Sequence, residues 1–384
     1  MTIQPHDFSS LSPPVWRAST VVFKTLEDFV SRKSRLPDGF SYGTTGTPTQ
    51  RTLEARIAKL EDAQHCVVLP SGQAAVCLTL LALVKAGDHL LMSESAYGPA
   101  KTFALATLKN LGVEVELYDP CIGANIASLV RPNTQCIWLE SPGSMTMEVQ
   151  DIPAICAVAK SRNIKTAIDN TWASSLGLKP LVIGVDIAVQ ACTKYMGGHS
   201  DVLMGSVTTN DSDLYSQVRQ LQAGMGQAVN AEDCFLISRG LDTIALRLHE
   251  QSRSTLAVAQ YLASHLAVSE VLYPPLPQSK GHAIWKRDFC GAGTLLSVAL
   301  QSAPFAAYQA MFAAFKQFAI GASWGGVHSI AAYYPAEEFT ARKHMPCHGP
   351  LVRLSIGLEG TDNIIQELDT ALQIFQITPQ LGTK

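Results

Sequence analysis

Seven short apolar runs recur between residues 65 and 209: H-C-V-V-L-P, H-L-L-M-S, V-E-V-E-L-Y, Q-C-I-W-L-E, I-K-T-A-I-D, V-D-I-A-V-Q and V-L-M-G-S-V-T-T. Most are separated by segments of helix length. Short strands alternating with helix-length spacers build βαβ units, because two parallel strands can be joined only by a crossover that travels back over a sheet face. The pattern therefore predicts a large α/β domain with a mostly parallel sheet. The punctuation agrees: Gly112 can stop the helix before V-E-V-E-L-Y, and Asp151 with Pro153 can open the helix after Q-C-I-W-L-E.

The rhythm sets the boundaries. Residues 61–245 hold the α/β pattern, and from 246 to 384 it gives way to a helix, then V-S-E-V-L-Y-P, G-T-L-L-S-V-A-L and L-V-R-L-S-I-G-L before a last helix, a smaller α+β domain. Residues 1–60 lack the alternation and carry G-F-S-Y-G-T-T-G-T-P-T, which predicts an extended segment leading into the helix T-L-E-A-R-I-A-K-L.

Composition narrows the class. At 384 residues, 47% hydrophobic and 16% charged, the chain can bury a large interior and is not a disordered protein. A net charge of −3, with no basic run beyond S-R-K-S-R, leaves no footprint for nucleic acid. The apolar stretch C-L-T-L-L-A-L-V falls short of the roughly 18 to 20 residues that cross a bilayer. M-T-I-Q-P-H-D-F-S-S has no basic region followed by an apolar core, and nine scattered cysteines without a C-x-x-C pair suit reduced thiols. A soluble, cytoplasmic enzyme without membrane contact is expected.

In an open parallel sheet, ligands gather at the carboxyl ends of the strands. Those ends carry Ser71, Gly72 and Gln73, then Tyr97, Asp169, and Thr193 with Lys194. P-S-G-Q-A-A-V leaves a strand and enters a helix, whose free N–H groups suit a phosphate, although a serine there is also an ordinary helix cap. Asp169 can cap a turn or pair with a protonated heterocycle; Tyr97 can pack on the surface or cover an aromatic ring. Lys194 can snorkel to solvent or be kept for its amine. Their combination in this order, with 25 residues from Asp169 to Lys194, supplies what pyridoxal 5'-phosphate (PLP) needs: a phosphate cup, a partner for the pyridine nitrogen, and an amine for the aldehyde.

The segments W-L-E-S-P-G-S-M-T-M-E-V-Q-D-I-P-A-I, I-D-N-T-W-A, Q-A-C-T-K-Y-M-G-G-H-S-D, S-R-G-L-D-T, S-W-G-G and R-L-S-I-G-L-E resemble the Cys/Met-metabolism PLP-dependent enzymes of the aspartate-aminotransferase fold (PLP fold type I), most closely their bacterial cystathionine β-lyase branch. The resemblance implies that Lys194 holds the cofactor and moves the Cα proton. It implies further that Asp169 pairs with the pyridine nitrogen, that Tyr97 stacks on the ring, and that Gly72, Gln73 and Thr193 contact the phosphate. Arg353 would grip the substrate carboxylate, for which a guanidinium is a planar, bidentate match. Ser323 and Trp324 match the S-W-G-G of the β-acting branch, where γ-acting relatives more often show S-L-G-G.

One departure stands out. Relatives usually carry Tyr-x-Arg in the N-terminal loop, reaching the neighbouring subunit's phosphate, whereas this chain reads Tyr42-Gly43-Thr44. An unreplaced charge-assisted contact is worth roughly 1.5 to 3 kcal/mol. Arg51 is either a substitute cation or an exposed arginine at a helix start.

What the resemblance implies is a carbon–sulfur β-lyase of methionine biosynthesis and transsulfuration. It would cleave an amino-acid thioether, L-cystathionine, to homocysteine, pyruvate and ammonia, in a homo-oligomer, a dimer of dimers, with Tyr42 reaching across subunits. A γ-lyase or γ-synthase and a PLP-containing regulator remain alternatives, with racemisation or cysteine desulfhydration as side activities. G-G-H-S-D lacks the final glycine of a nucleophile elbow, and H-M-P-C-H lacks paired metal-ligand spacing, so no metal is expected.

Overall fold

The computed structural model describes residues 10–347 and 349–381. The start of the N-terminal stretch read for a leader, and the final histidine of H-M-P-C-H, lie outside the described residues.

All seven apolar runs form strands of one sheet: β1 (His65–Leu69), β2 (His89–Ser93), β3 (Glu114–Tyr118), β4 (Thr134–Glu140), β5 (Lys165–Asp169), β6 (Ile187–Gln190) and β7 (Gly205–Thr209). Their order is β1-β7-β6-β5-β4-β2-β3. β6, β5, β4, β2 and β3 are parallel, whereas β7 pairs antiparallel with both β6 and β1. The reversal has a local cause. No helix intervenes between β6 and β7, and without a crossover β7 returns beside β6 in the opposite sense. That helix-free connection carries Thr193 and Lys194.

Alternate side chains along these strands enter opposite layers, as a pleated strand requires. Leu90, Met92, Trp138 and Val189 pack in one apolar cluster. Leu91, Ile137, Leu139, Ile168 and Ala188 enter another, which continues into the second sheet through Leu296, Val298 and Leu354. Strands buried on both faces explain why most of the runs are continuously apolar, whereas β3, at the sheet edge and partly exposed, alternates as V-E-V-E-L-Y.

The second sheet comprises β8 (Val268–Leu272), β9 (Leu295–Leu300), β10 (Ala319–Ile320), β11 (Ile330–Tyr334) and β12 (Leu351–Ser355), in the order β10-β11-β12-β9-β8. The long helix Ile244–Ser264 precedes it, and the helix Thr361–Leu381 follows it. Before β1, residues 10–47 form only short helical turns; the helix Pro48–Glu61 then starts four residues earlier than T-L-E-A-R-I-A-K-L suggests, because Thr47 and Gln50 form a capping box with proline in the first turn.

All nine cysteines are free. Among the described residues no helix is long and apolar enough to cross a membrane, and no cluster of three or more His, Cys, Asp or Glu is arranged to hold a metal ion.

Candidate active site

A cavity of about 280 Å³ opens at the carboxyl ends of the strands; Gly72, Gln73, Tyr97, Asp169, Thr193, Lys194, Trp324 and Arg353 all line it. Residues separated by up to 281 positions in sequence are thus brought to one place. A larger cavity of about 620 Å³ between the two sheets shares only Met147 with it.

The Asp169 side chain is fixed by its neighbours. Its Oδ1 accepts the Thr171 N–H at 2.9 Å and the Thr171 hydroxyl at 2.6 Å, and Thr171 Oγ1 in turn accepts the Ala191 N–H at 2.9 Å. The end of β5 is thereby tied to the start of the Lys194 connection. Burial raises the Asp169 pKa, and the Thr171 bonds oppose that rise.

Lys194 is held on the other side. Thr193 Oγ1 donates to the Met204 carbonyl at 3.2 Å and accepts its N–H at 3.0 Å, while Lys194 Nζ donates to Ser323 Oγ at 2.9 Å. The ammonium lies 5.2 Å from the Trp324 ring centroid, and that ring meets Tyr195 edge-on at 5.6 Å. Burial first, and the Arg353 charge second, lower the Lys194 pKa to about 8. This is the range in which an amine serves as a base near neutral pH.

The helix Gly72–Leu83 points its N-terminus into the cavity. Ser71 Oγ accepts the Ala74 N–H at 3.0 Å, whereas the N–H groups of Gly72 and Gln73 meet no protein acceptor among the described residues. Gln73 Oε1 is also buried without a partner. A Cβ at Gly72 would stand 2.7 Å from the Ala191 Cβ, and one at Gly205 would stand 2.3 Å from the Ser71 carbonyl oxygen. Only glycine lets the cup and the lysine connection approach this closely.

Arg353, in β12, is buried; it donates to the Ala322 carbonyl at 2.5 Å and lies 5.1 Å from the Tyr334 ring centroid. Tyr97 stays 44% exposed at the cavity rim, its backbone N–H bonded to Glu140 Oε2 at 2.6 Å. Tyr42 does not line this cavity; it is 52% exposed beside Gly43 and Thr44 in a separate cavity of about 610 Å³, which shares Leu203 with the first.

Arg51 is not the exposed arginine considered above, since its side chain is only 18% exposed. Nε and both terminal nitrogens are engaged inside its own chain, with Glu54 at 2.8 Å and with the carbonyls of Asp38, Pro37 and Thr45.

A model of the family described as Cys/Met metabolism PLP-dependent enzyme matches residues 2–373. The chain belongs to this family. A putative cystathionine beta-lyase of Rhizobium johnstonii is 40% identical over 370 residues, covering 95% of this chain and 92% of the relative. Cystathionine beta-lyase MetC of Escherichia coli is 39% identical over 374 residues, covering 95% and 94%. The crystal structure of metB from Corynebacterium glutamicum superposes with a TM-score of 0.88 at 29% identity, covering 97% of this chain and 95% of that one. The fold is the aspartate-aminotransferase-like PLP fold type I, and PLP is the cofactor of the family.

The residues fit that cofactor. Free helix N–H groups suit a phosphate, the Asp169 carboxylate suits a protonated pyridine, and a lysine of lowered pKa suits an aldehyde. Several cavity residues are not marked by the sequence, Glu140 and Thr171 among them. Glu140 ends β4 opposite Asp169, and Thr171, two residues past the end of β5, bonds that aspartate; a glutamate closing an apolar strand was the available signal.

Proposed function

We propose that the protein is a PLP-dependent carbon–sulfur β-lyase that cleaves L-cystathionine to homocysteine, pyruvate and ammonia. The observation that carries this is Lys194, its pKa lowered to about 8, lying 2.9 Å from Ser323 and beside Trp324 in a cavity that also holds Asp169 and Arg353. The curated cystathionine β-lyases it resembles over nearly its whole length support the same reaction.

When bound, PLP supplies an electron sink for the negative charge that develops at the substrate Cα. Lys194 would hold it through its amine, Gly72, Gln73 and Thr193 would hold its phosphate, Asp169 would keep its ring nitrogen protonated, and Tyr97 would cover its ring. Arg353 binds the substrate carboxylate and so aligns the Cα–H bond with the base. With its amine free, Lys194 would take the Cα proton; the Cβ–S bond would then break with its electron pair on sulfur, and Lys194 would pass the proton to the departing thiolate. Water completes the release of pyruvate and ammonia. Trp324, packed on Tyr195, excludes water from the lysine side of the cavity.

The division into segments 1–60, 61–245 and 246–384 belongs to the same reading, with the helix Ile244–Ser264 linking the two larger units. So does a homotetramer, a dimer of dimers, in the cytoplasm, in which Tyr42 serves a neighbouring subunit. The exposure of Trp16, Leu26, Phe29 and Val30 on the N-terminal segment supports a subunit contact there.

Quantifying both keto acids tests the reaction. With L-cystathionine the holoenzyme is expected to release pyruvate in at least tenfold excess over 2-oxobutanoate. Dominant 2-oxobutanoate would move the assignment to γ-elimination, and neither product would remove the lyase reading.

A further inference from the structure

We propose that Arg342, Glu148 and Glu94 form a clasp between the two sheets that positions Arg353 and so sets the affinity of the site for an amino-acid carboxylate. The proposal rests on the reading of Arg353 as the carboxylate grip. It starts from the connection between β11 and β12, which runs over the large sheet immediately before the strand that carries Arg353.

That connection is fastened at two points. Glu94, just past the end of β2, accepts the backbone N–H groups of Lys343 at 2.6 Å and His344 at 2.8 Å through its two carboxylate oxygens. Arg342 donates to Thr146 Oγ1 and to Glu148 Oε1, and Thr146 Oγ1 donates to Glu148 Oε2 at 2.6 Å. The Arg342 and Glu148 side chains are only 7% and 6% exposed. Breaking a buried pair from one side leaves an uncompensated charge, so this contact fixes a geometry rather than decorating a surface.

What it fixes is the segment 143–148. Met145 and Met147 both adopt positive φ, 71° and 59°, a conformation that is unfavourable for a non-glycine residue and persists where surrounding contacts impose it. Gly143 N–H bonds to the Glu148 carbonyl at 2.8 Å, and Met147 N–H to the Gly143 carbonyl at 3.1 Å, closing the turn. Gly143, Ser144 and Met147 line the reaction cavity. Met145 Sδ lies 3.6 Å from Arg353 Nη1, so the turn held by Arg342 bears directly on the guanidinium. Arg342 is thus a positioning residue, acting on Arg353 through Thr146 and Met145.

The test measures binding of L-alanine to the holoenzyme, read as the change it produces in the visible cofactor spectrum, beside kcat and KM for L-cystathionine. For Arg342→Met, the dissociation constant of alanine and KM are expected to rise tenfold or more, with kcat within about threefold and the cofactor band of the unliganded enzyme unchanged. A loss of uniform binding has this signature, whereas a general structural defect does not. Glu148→Gln should act in the same direction, the double variant should be no worse than the larger single effect, and Arg342→Lys should recover part of the affinity. Alanine binding like wild type in Arg342→Met, or kcat falling at constant KM, overturns the clasp. If Arg342→Met does not fold, Thr146→Val carries the same test with the same two outcomes. Alanine binding without pyruvate from cystathionine would fail the lyase reading and leave the clasp standing; no alanine binding to the wild type overturns both.

Discussion

At the residue scale the chemistry turns on the charge state of one amine. Lys194 loses its hydration on burial and faces the Arg353 guanidinium, and both effects disfavour the ammonium; Asp169 opposes them. Because the neutral amine is the form that attacks an aldehyde, reconstitution of apoprotein with PLP should accelerate as pH rises, with a midpoint near pH 8 rather than in the range of an exposed lysine. Stopped-flow growth of the visible band against pH measures this. Replacing Arg353 by methionine removes the second cause and should move that midpoint upward. Lys194 and Asp169 are marked in the sequence by their places after apolar runs, and Arg353 by the family resemblance of R-L-S-I-G-L-E; the structure brings all three to one cavity. Glu140 and Thr171 were less legible, since their roles are through-space contacts with Tyr97 and Asp169. Met145 and Met147 gave no sign of their backbone conformation, because methionine carries no preference for positive φ.

At the scale of elements, the helix Pro48–Glu61 ends on a carboxyl buried beneath the lysine connection. Glu61 is 1% exposed and accepts a hydrogen bond from Gln190 Nε2 at the end of β6. Burial raises its pKa from 4.5 to about 8, with Lys179 opposing. The folded state therefore binds a proton that the unfolded state releases, so this group's stabilisation is fully present below about pH 4.5 and is lost as pH rises towards 8. Glu61→Gln, which cannot ionise, should gain melting temperature relative to wild type between pH 5 and pH 9, by about 1 °C for each kcal/mol recovered. A difference independent of pH would show that Glu61 does not titrate there. The strands themselves were legible from apolar runs, including their order of appearance. The reversal of β7 was not, because an apolar run carries no direction; it follows from the missing helix between β6 and β7.

At the scale of the whole molecule, two sheets share one apolar cluster, and the reaction cavity sits where the carboxyl ends of the first meet β12 of the second. On the proposed roles the work is divided: connections at the carboxyl ends of the large sheet provide the amine and the cofactor cup, while β12 provides Arg353 and the β10–β11 connection provides Trp324. Sequence reading reached both halves, but not what joins them. Arg342 and Glu148 lie 194 residues apart and no local pattern links them. The central claim is that Lys194 carries both the cofactor and the proton in a β-lyase. The most direct test is to load wild type and Lys194→Ala with PLP, record the visible spectra, and assay pyruvate from L-cystathionine. The account predicts a band from lysine-bound cofactor in the wild type that Lys194→Ala lacks, with pyruvate formation reduced at least a thousandfold. A wild-type band surviving in Lys194→Ala, or pyruvate released at the wild-type rate, would contradict it.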